Sequence, residues 1–192
     1  MHHFFAMMSR MKYIERWALM RNSIPENISE HSLEVSMLAH ALAVLGNRRF
    51  GKTLNAEKAA LIGLYHDSTE ILTGDMPTPI KYYNPEIKKA FKDIEDTAAR
   101  NLLSLLPEDM QEDYFSIFFP DEKEAYLHRL VKAADKLSAL IKCIEEAKTG
   151  NKEFVSAQST LQQSIEEMHL EEADEFTKEF LPSYSLTLDE LR

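Results

Sequence analysis

Ala59-Ala60-Leu61-Ile62-Gly63-Leu64-Tyr65-His66-Asp67-Ser68-Thr69-Glu70 is an apolar run that ends on a histidine, an aspartate and a glutamate. The run has helical composition, and it predicts a helix from Ala56 to about Leu72, broken at Gly74. Adjacent residues on a helix point about 100° apart, so His66 and Asp67 can approach one ion from neighbouring directions. Glu70 lies four residues after His66 and three after Asp67, on the same face one turn along. A carboxylate there can hold a water beside an ion without binding the ion itself.

Working outward, the pattern is helical throughout. Five glycines and seven prolines in 192 residues favour helices over a turn-rich β architecture. A first helix is predicted over Phe5 to Leu19. A second follows Ser29 as N-cap and runs to Leu45, with Leu33, Met37, Leu38, Ala41 and Leu45 as its buried stripe. Thr73-Gly74-Asp75-Met76-Pro77-Thr78-Pro79 reads as an ordered loop. Asn84-Pro85 is an N-cap and first-turn proline for a helix to about Leu106.

A short, irregular or helical piece lies between Pro107 and Pro120. Asp121 and Glu124 suggest a capping box for a long helix to Ala147, with Leu127, Leu130, Val131, Ala134, Leu137, Ile141 and Ile144 in helical register. Cys143 reads as core packing on that helix. A helix from Asn151 to Leu170 and a short last one near Leu181 complete the chain. The acidic run Glu166 to Glu175 reads as solvated surface. The expectation is an all-α, single-domain bundle of six to seven helices over residues 1–192.

Two more residues join the candidate ion site. Asp135 lies among Ala133, Ala134 and Leu137, and a carboxylate in apolar surroundings needs a partner. His31 falls in the first turn of the second helix. Each has a plainer reading: His31 as a helix-start residue, Asp135 as an ordinary buried ion-pair partner. Imidazole and carboxylate donors together suit divalent ions such as Mn²⁺, Co²⁺, Zn²⁺ or Mg²⁺.

Composition excludes other classes. A formal net charge of −10, with no basic block, argues against a nucleic-acid polymer as partner. A small anionic substrate is compatible, since an ion and one arginine can dominate a local field. One cysteine allows no internal disulfide and fits a reducing cytosol. No apolar run reaches the roughly 20 residues of a spanning helix, and the N-terminus lacks a signal-peptide pattern. The expected localisation is cytoplasmic, with no membrane partner. No Gly-rich phosphate loop is present.

The order His31, His66-Asp67, Asp135 resembles the HD-domain metal-dependent phosphohydrolase superfamily. Longer strings are similar to the bacterial YfbR-like 5′-deoxynucleotidases: Arg16-Trp17-Ala18-Leu19-Met20-Arg21-Asn22, Glu30-His31-Ser32, Tyr65-His66-Asp67-Ser68-Thr69-Glu70, Thr73 to Pro79, and Pro182 to Glu190. The resemblance implies an HD-type fold and a homodimer that hydrolyses deoxyribonucleoside 5′-monophosphates with broad base tolerance. It also implies one divalent ion, whether Co, Mn, Cu, Zn or Mg, held by His31, His66, Asp67 and Asp135.

By the same resemblance, Glu70 is the acid/base residue and Arg16 grips the phosphate. Trp17 lies against the sugar, where bulk excludes a 2′-hydroxyl. Asp75, Met76, Pro77 and Thr78 line the nucleoside end, and His31 and Asp67 also touch substrate. Taken without the resemblance, Trp17 reads as a core aromatic and the loop as a structural turn. Two rivals stand beside this reading. One is another HD-type hydrolase, of cyclic nucleotides, guanosine polyphosphates or triphosphates; the other is a non-catalytic helical regulatory module.

Overall fold

Serine chemistry decides where the third helix stops. In the computed structural model, which describes every residue except Tyr82 and Pro120, the Ser68 hydroxyl and amide both bond the Tyr65 carbonyl, at 2.7 and 3.1 Å. The hydroxyl competes for a carbonyl that would otherwise continue the helix. The Glu70 amide likewise bonds the Asp67 carbonyl at 2.9 Å, in a tight turn. The expected single helix is therefore two, Ala56–Tyr65 and Glu70–Thr73, with His66 and Asp67 in the turn between them.

In chain order the helices are α1 (Phe4–Met8), α2 (Ile28–Arg49), α3 (Ala56–Tyr65), α4 (Glu70–Thr73) and α5 (Thr78–Lys81). They continue as α6 (Pro85–Leu103), α7 (Glu108–Phe118), α8 (Ala125–Lys148), α9 (Val155–Glu166) and α10 (Glu171–Glu179). Short 3₁₀ turns lie at Met11–Tyr13, Glu122–Glu124, Lys152–Phe154 and Leu181–Ser185. The all-α class is as expected, and among the described residues extended pairing is limited to one isolated bridge, Glu15 to Asn27. Short helices such as α4 and α5, invisible to a periodicity reading, raise the number above six or seven. Among the described residues, no helix is long and apolar enough to cross a membrane.

Contacts divide the chain into two compact units. The first comprises residues 1–21, 25–32 and 65–121. Its core is built from Phe4, Leu102, Leu103 and Leu106, with Tyr65, Tyr114 and Phe118 packed around them. The second comprises residues 22–24, 33–64 and 122–192. There α8 buries Leu127, Leu130, Val131, Ala134, Leu137 and Ile141, as its register predicts, together with Cys143. Gly63 lets α3 approach α2: a Cβ there would sit 3.0 Å from the Ser36 Cα, and Ser36 Oγ donates to the Ala60 carbonyl at 2.8 Å.

Five local expectations are corrected. The first helix ends at Met8, because residues from Ile14 onward pair across a loop: the Arg16 amide bonds the Glu26 carbonyl, and the Ile28 amide the Ile14 carbonyl, each at 2.9 Å. The α2 cap is Asn27 and not Ser29; its Oδ1 accepts the amides of Ser29 and Glu30 at 3.0 and 3.1 Å. Glu30 bonds back to the Asn27 amide at 3.4 Å, closing a capping box. On α2 the buried stripe is Val35, Leu38, Ala39, Leu42, Ala43 and Leu45, while Leu33 and Met37 face outward.

The capping box expected from Asp121 and Glu124 gives way to a 3₁₀ turn, and the N-cap of α8 is Glu124, with no side-chain capping bond. The acidic run is not all solvated, because Glu172 is buried against Lys52 at 2.8 Å and Tyr126 at 2.9 Å. Asn84, by contrast, caps α6 as read, accepting from the Ile87 amide at 2.7 Å. The piece after Pro107 is the helix α7, and its expected far boundary at Pro120 lies outside the described residues.

Candidate metal centre

One helix and one turn of the first unit bring three donors together. The first turn of α2 presents His31, fully buried, with its amide on the Asn27 carbonyl at 3.1 Å. The turn after α3 presents His66 and Asp67. Tyr65, just before them, is set in the aromatic cluster, its ring centroid 6.0 Å from Tyr114 and 6.1 Å from Phe118. Donor atoms of His31, His66 and Asp67 all lie within 4.8 Å of one another. His66 Nε2 is 3.1 Å, and His31 Nε2 3.4 Å, from Asp67 Oδ2.

The donor set fits a divalent ion. Two nitrogen or oxygen ligands, each about 2 Å from a tetrahedral ion, stand roughly 3.3 Å apart, close to the separations seen here. Among the described residues this is the cluster of histidine and carboxylate donors able to hold a metal. Asp135 is half-buried at the middle of α8 and belongs to the second unit.

The surroundings are strongly polar. Arg16 Nη1 lies 3.6 Å from Asp67 Oδ2, and its Nε pairs with Glu26 Oε2 at 3.1 Å. Burial alone would raise the Asp67 carboxyl, but His66, His31 and Arg16 outweigh it and hold it well below the usual carboxylate range. Glu70, buried at the start of α4, moves the opposite way. Burial first, then the carboxylates of Asp67 and Asp75, push it up to about 9. Asp75 is also raised, by burial and Asp67, against the pull of Arg16.

Trp17 bridges the two loops. Its amide donates to Asp75 Oδ2 at 3.3 Å and its indole Nε1 to Glu26 Oε2 at 2.9 Å. Its φ of 60° is left-handed, a costly conformation for a bulky residue. Met76 and Pro77 are half-buried in the loop after Gly74, and Thr78 is exposed at the start of α5.

The sequence reading missed Glu26 and Lys81. Glu26 carries no periodic signal, but its place opposite Arg16 across a short Pro-containing loop is a clue in hindsight. Lys81 pairs with Glu95 at 2.8 Å and is seen only once α5 is folded onto α6.

A family profile for YfbR-like 5′-deoxynucleotidases matches residues 3–184. The chain belongs to this family. The 5′-deoxynucleotidase VP0926 of Vibrio parahaemolyticus is 50% identical over 189 residues, 98% of this chain and 97% of that one. The 5′-deoxynucleotidase plu3092 of Photorhabdus laumondii is 48% identical over 191 residues, 100% of this chain and 97% of that one.

Among solved structures, an HD-domain phosphohydrolase from Listeria innocua superposes with a TM-score of 0.82 at 24% identity, over 95% of this chain and 88% of that one. The cyanophage S-2L HD phosphohydrolase DatZ, solved with dA and one catalytic Zn²⁺, has a TM-score of 0.64 at 22% identity, over 95% and 96%. These two likenesses establish the HD phosphohydrolase fold. The family match spans both compact units.

Proposed function

We propose that the protein is a metal-dependent 5′-deoxynucleotidase, cleaving deoxyribonucleoside 5′-monophosphates to deoxynucleoside and phosphate. The observation that carries it, beside family membership, is the Arg16 guanidinium 3.6 Å from Asp67 within the His31–His66–Asp67 cluster. This supports the reading, because a guanidinium offers a planar fork of N–H donors suited to two phosphate oxygens.

His31, His66, Asp67 and Asp135 would hold the ion. When bound, the ion supplies Lewis acidity, drawing charge from phosphoryl oxygen and acidifying water. Arg16 orients the phosphate through its planar fork. Water attacks phosphorus directly and the bond from phosphorus to the 5′ oxygen breaks. Glu70 is the acid/base residue: it takes the proton that the attacking water loses and gives a proton to the departing 5′ oxygen. Incorporation of ¹⁸O from solvent into phosphate is expected; a trapped phosphoenzyme would sink direct attack.

Trp17 packs on the deoxyribose and excludes a 2′-hydroxyl, and Asp75 accepts from the 3′-hydroxyl. Met76, Pro77 and Thr78 close the nucleoside end. We read residues 1–192 as one HD domain, cytoplasmic like its substrates, and acting as a homodimer. Exposed Phe115, which stacks on Phe119 at 4.8 Å, and the outward Leu33 and Met37 offer apolar surface for self-association.

The test is phosphate release from dAMP, AMP, dATP and a cyclic nucleotide, with protein reconstituted separately with Co²⁺, Mn²⁺, Cu²⁺, Zn²⁺ and Mg²⁺. Preferential release from dAMP is expected. Release from only the triphosphate or cyclic substrate would transfer the protein to another HD activity. Asp135→Ala is expected to lower bound metal per chain by elemental analysis, and full metal content would remove it from the ligand set.

A further inference from the structure

Lys81 touches the substrate loop and the body of the first unit at once. Its backbone amide donates to the Pro77 carbonyl at 3.1 Å, beside the Ile80 amide on the same carbonyl at 2.8 Å. Its ammonium pairs with Glu95 Oε1 on α6 at 2.8 Å and lies 4.7 Å from the centroid of the buried Phe91 ring. A four-residue helix such as α5 has almost no stability of its own. Something outside it must hold it in place, and these two contacts with α6 do so.

The loop from Gly74 to Pro77 is then tied at three points. At its start the Gly74 amide bonds the Glu70 carbonyl at 2.7 Å. In its middle Asp75 accepts from the Trp17 amide at 3.3 Å. At its end Pro77 is held through Lys81. The first two ties run through Glu70, Asp75 and Trp17, all assigned to the reaction; in the third, Pro77 is held by Lys81, which is not. The ion pair is partly buried, with side chains 26% and 23% exposed, so solvent screens it less than a surface pair.

We propose that Lys81 is a positioning residue for substrate binding: paired with Glu95 and seated on Phe91, it fixes α5 and thereby sets the Asp75–Pro77 loop against the nucleoside. The inference rests on the assignment of that loop to the substrate. The Lys81 charge also reaches the reacting carboxylates, drawing Glu70 downward against the burial that raises it.

The experiment compares Lys81→Met, Glu95→Gln and Lys81→Arg with wild type, with Lys92→Met, an exposed lysine on α6, as control. Lys81→Met and Glu95→Gln are expected to raise KM for dAMP about tenfold while kcat changes much less, because loop placement governs binding. Lys81→Arg should recover most of the loss, and Lys92→Met should change nothing. An unchanged KM, or a fall in kcat alone, would overturn the proposal.

A second readout does not need turnover. Trp17 is the sole tryptophan and its amide is bonded to the same loop. Its emission is expected to shift to the red, and its quenching by acrylamide to rise, in Lys81→Met. If the wild-type protein cleaved no nucleotide, the proposed function would fail while this readout still decided the loop claim. Emission and quenching identical to wild type would refute it.

Discussion

Trp17 is held at a φ of 60° by two hydrogen bonds, from its amide to Asp75 and from its indole to Glu26. Such strain costs on the order of 1–3 kcal/mol and persists only where surrounding contacts over-determine it. In the proposed placement against the sugar, the rigid ring would discriminate by volume. Trp17→Ala is expected to lower the dAMP-to-AMP ratio of kcat/KM at least about tenfold, since a steric exclusion of this kind is worth 1–3 kcal/mol. An unchanged ratio would count against the steric account.

Glu70 yields a second prediction at this scale. Its carboxyl is raised from 4.5 to about 9 in the folded protein. The folded state therefore keeps a proton that the unfolded state loses near 4.5. This contribution is fully present below pH 4.5 and is lost progressively as pH rises through about 9. Metal-free wild type should lose thermal stability between pH 5 and 9 more steeply than Glu70→Gln. Parallel Tm curves for the two proteins would refute the assignment.

At the scale of elements, α8 carries a charged pair inside the core of the second unit. Lys142 and Glu146 are 5% and 1% exposed and 2.6 Å apart. Glu146 also accepts the Ser23 amide at 2.9 Å and the Asn151 side-chain amide at 2.8 Å, and Lys142 bonds the Ile24 carbonyl. One charged pair thus bonds the Ser23 and Ile24 amides and the Ile24 carbonyl. Glu146→Ala strands a buried ammonium and should cost about 3–5 kcal/mol. Lys142→Met with Glu146→Gln together should cost much less, and urea melts of the two proteins separate the cases. Equal losses would mean that packing, and not charge, dominates here.

At the scale of the whole molecule, stability comes from apolar burial around α8. Leu137 is fully buried in the larger core. Leu137→Ala should cost about 2–5 kcal/mol through lost burial and the cavity left behind. For a chain of this length that lowers Tm by roughly 5–15 °C, measurable by calorimetry. A loss below about 1 kcal/mol would mean the site collapses around the smaller residue.

Much of this was legible from residues alone. The helical class followed from scarce glycine and proline, and the α8 stripe from its 3.6-residue period, because burial of one face is a local pattern. Asn84-Pro85 announced α6 because capping is a local hydrogen bond. His31, His66 and Asp67 were named from residue type and order, and the fold brings them within 4.8 Å of one another.

Other features depended on contacts between residues distant in sequence. Arg16 and Trp17 leave their expected helix because residues 14–16 pair with 26–28. The His66–Asp67 turn exists because a serine hydroxyl competes for a carbonyl. Leu33 and Met37 face outward on α2, while Val35, Ala39, Leu42 and Ala43 are buried in the core. The Lys81–Glu95 pair spans fourteen residues and leaves no periodic trace. Periodicity reports which face of an element is apolar; only the folded chain decides which of several apolar faces is covered, and which charges meet.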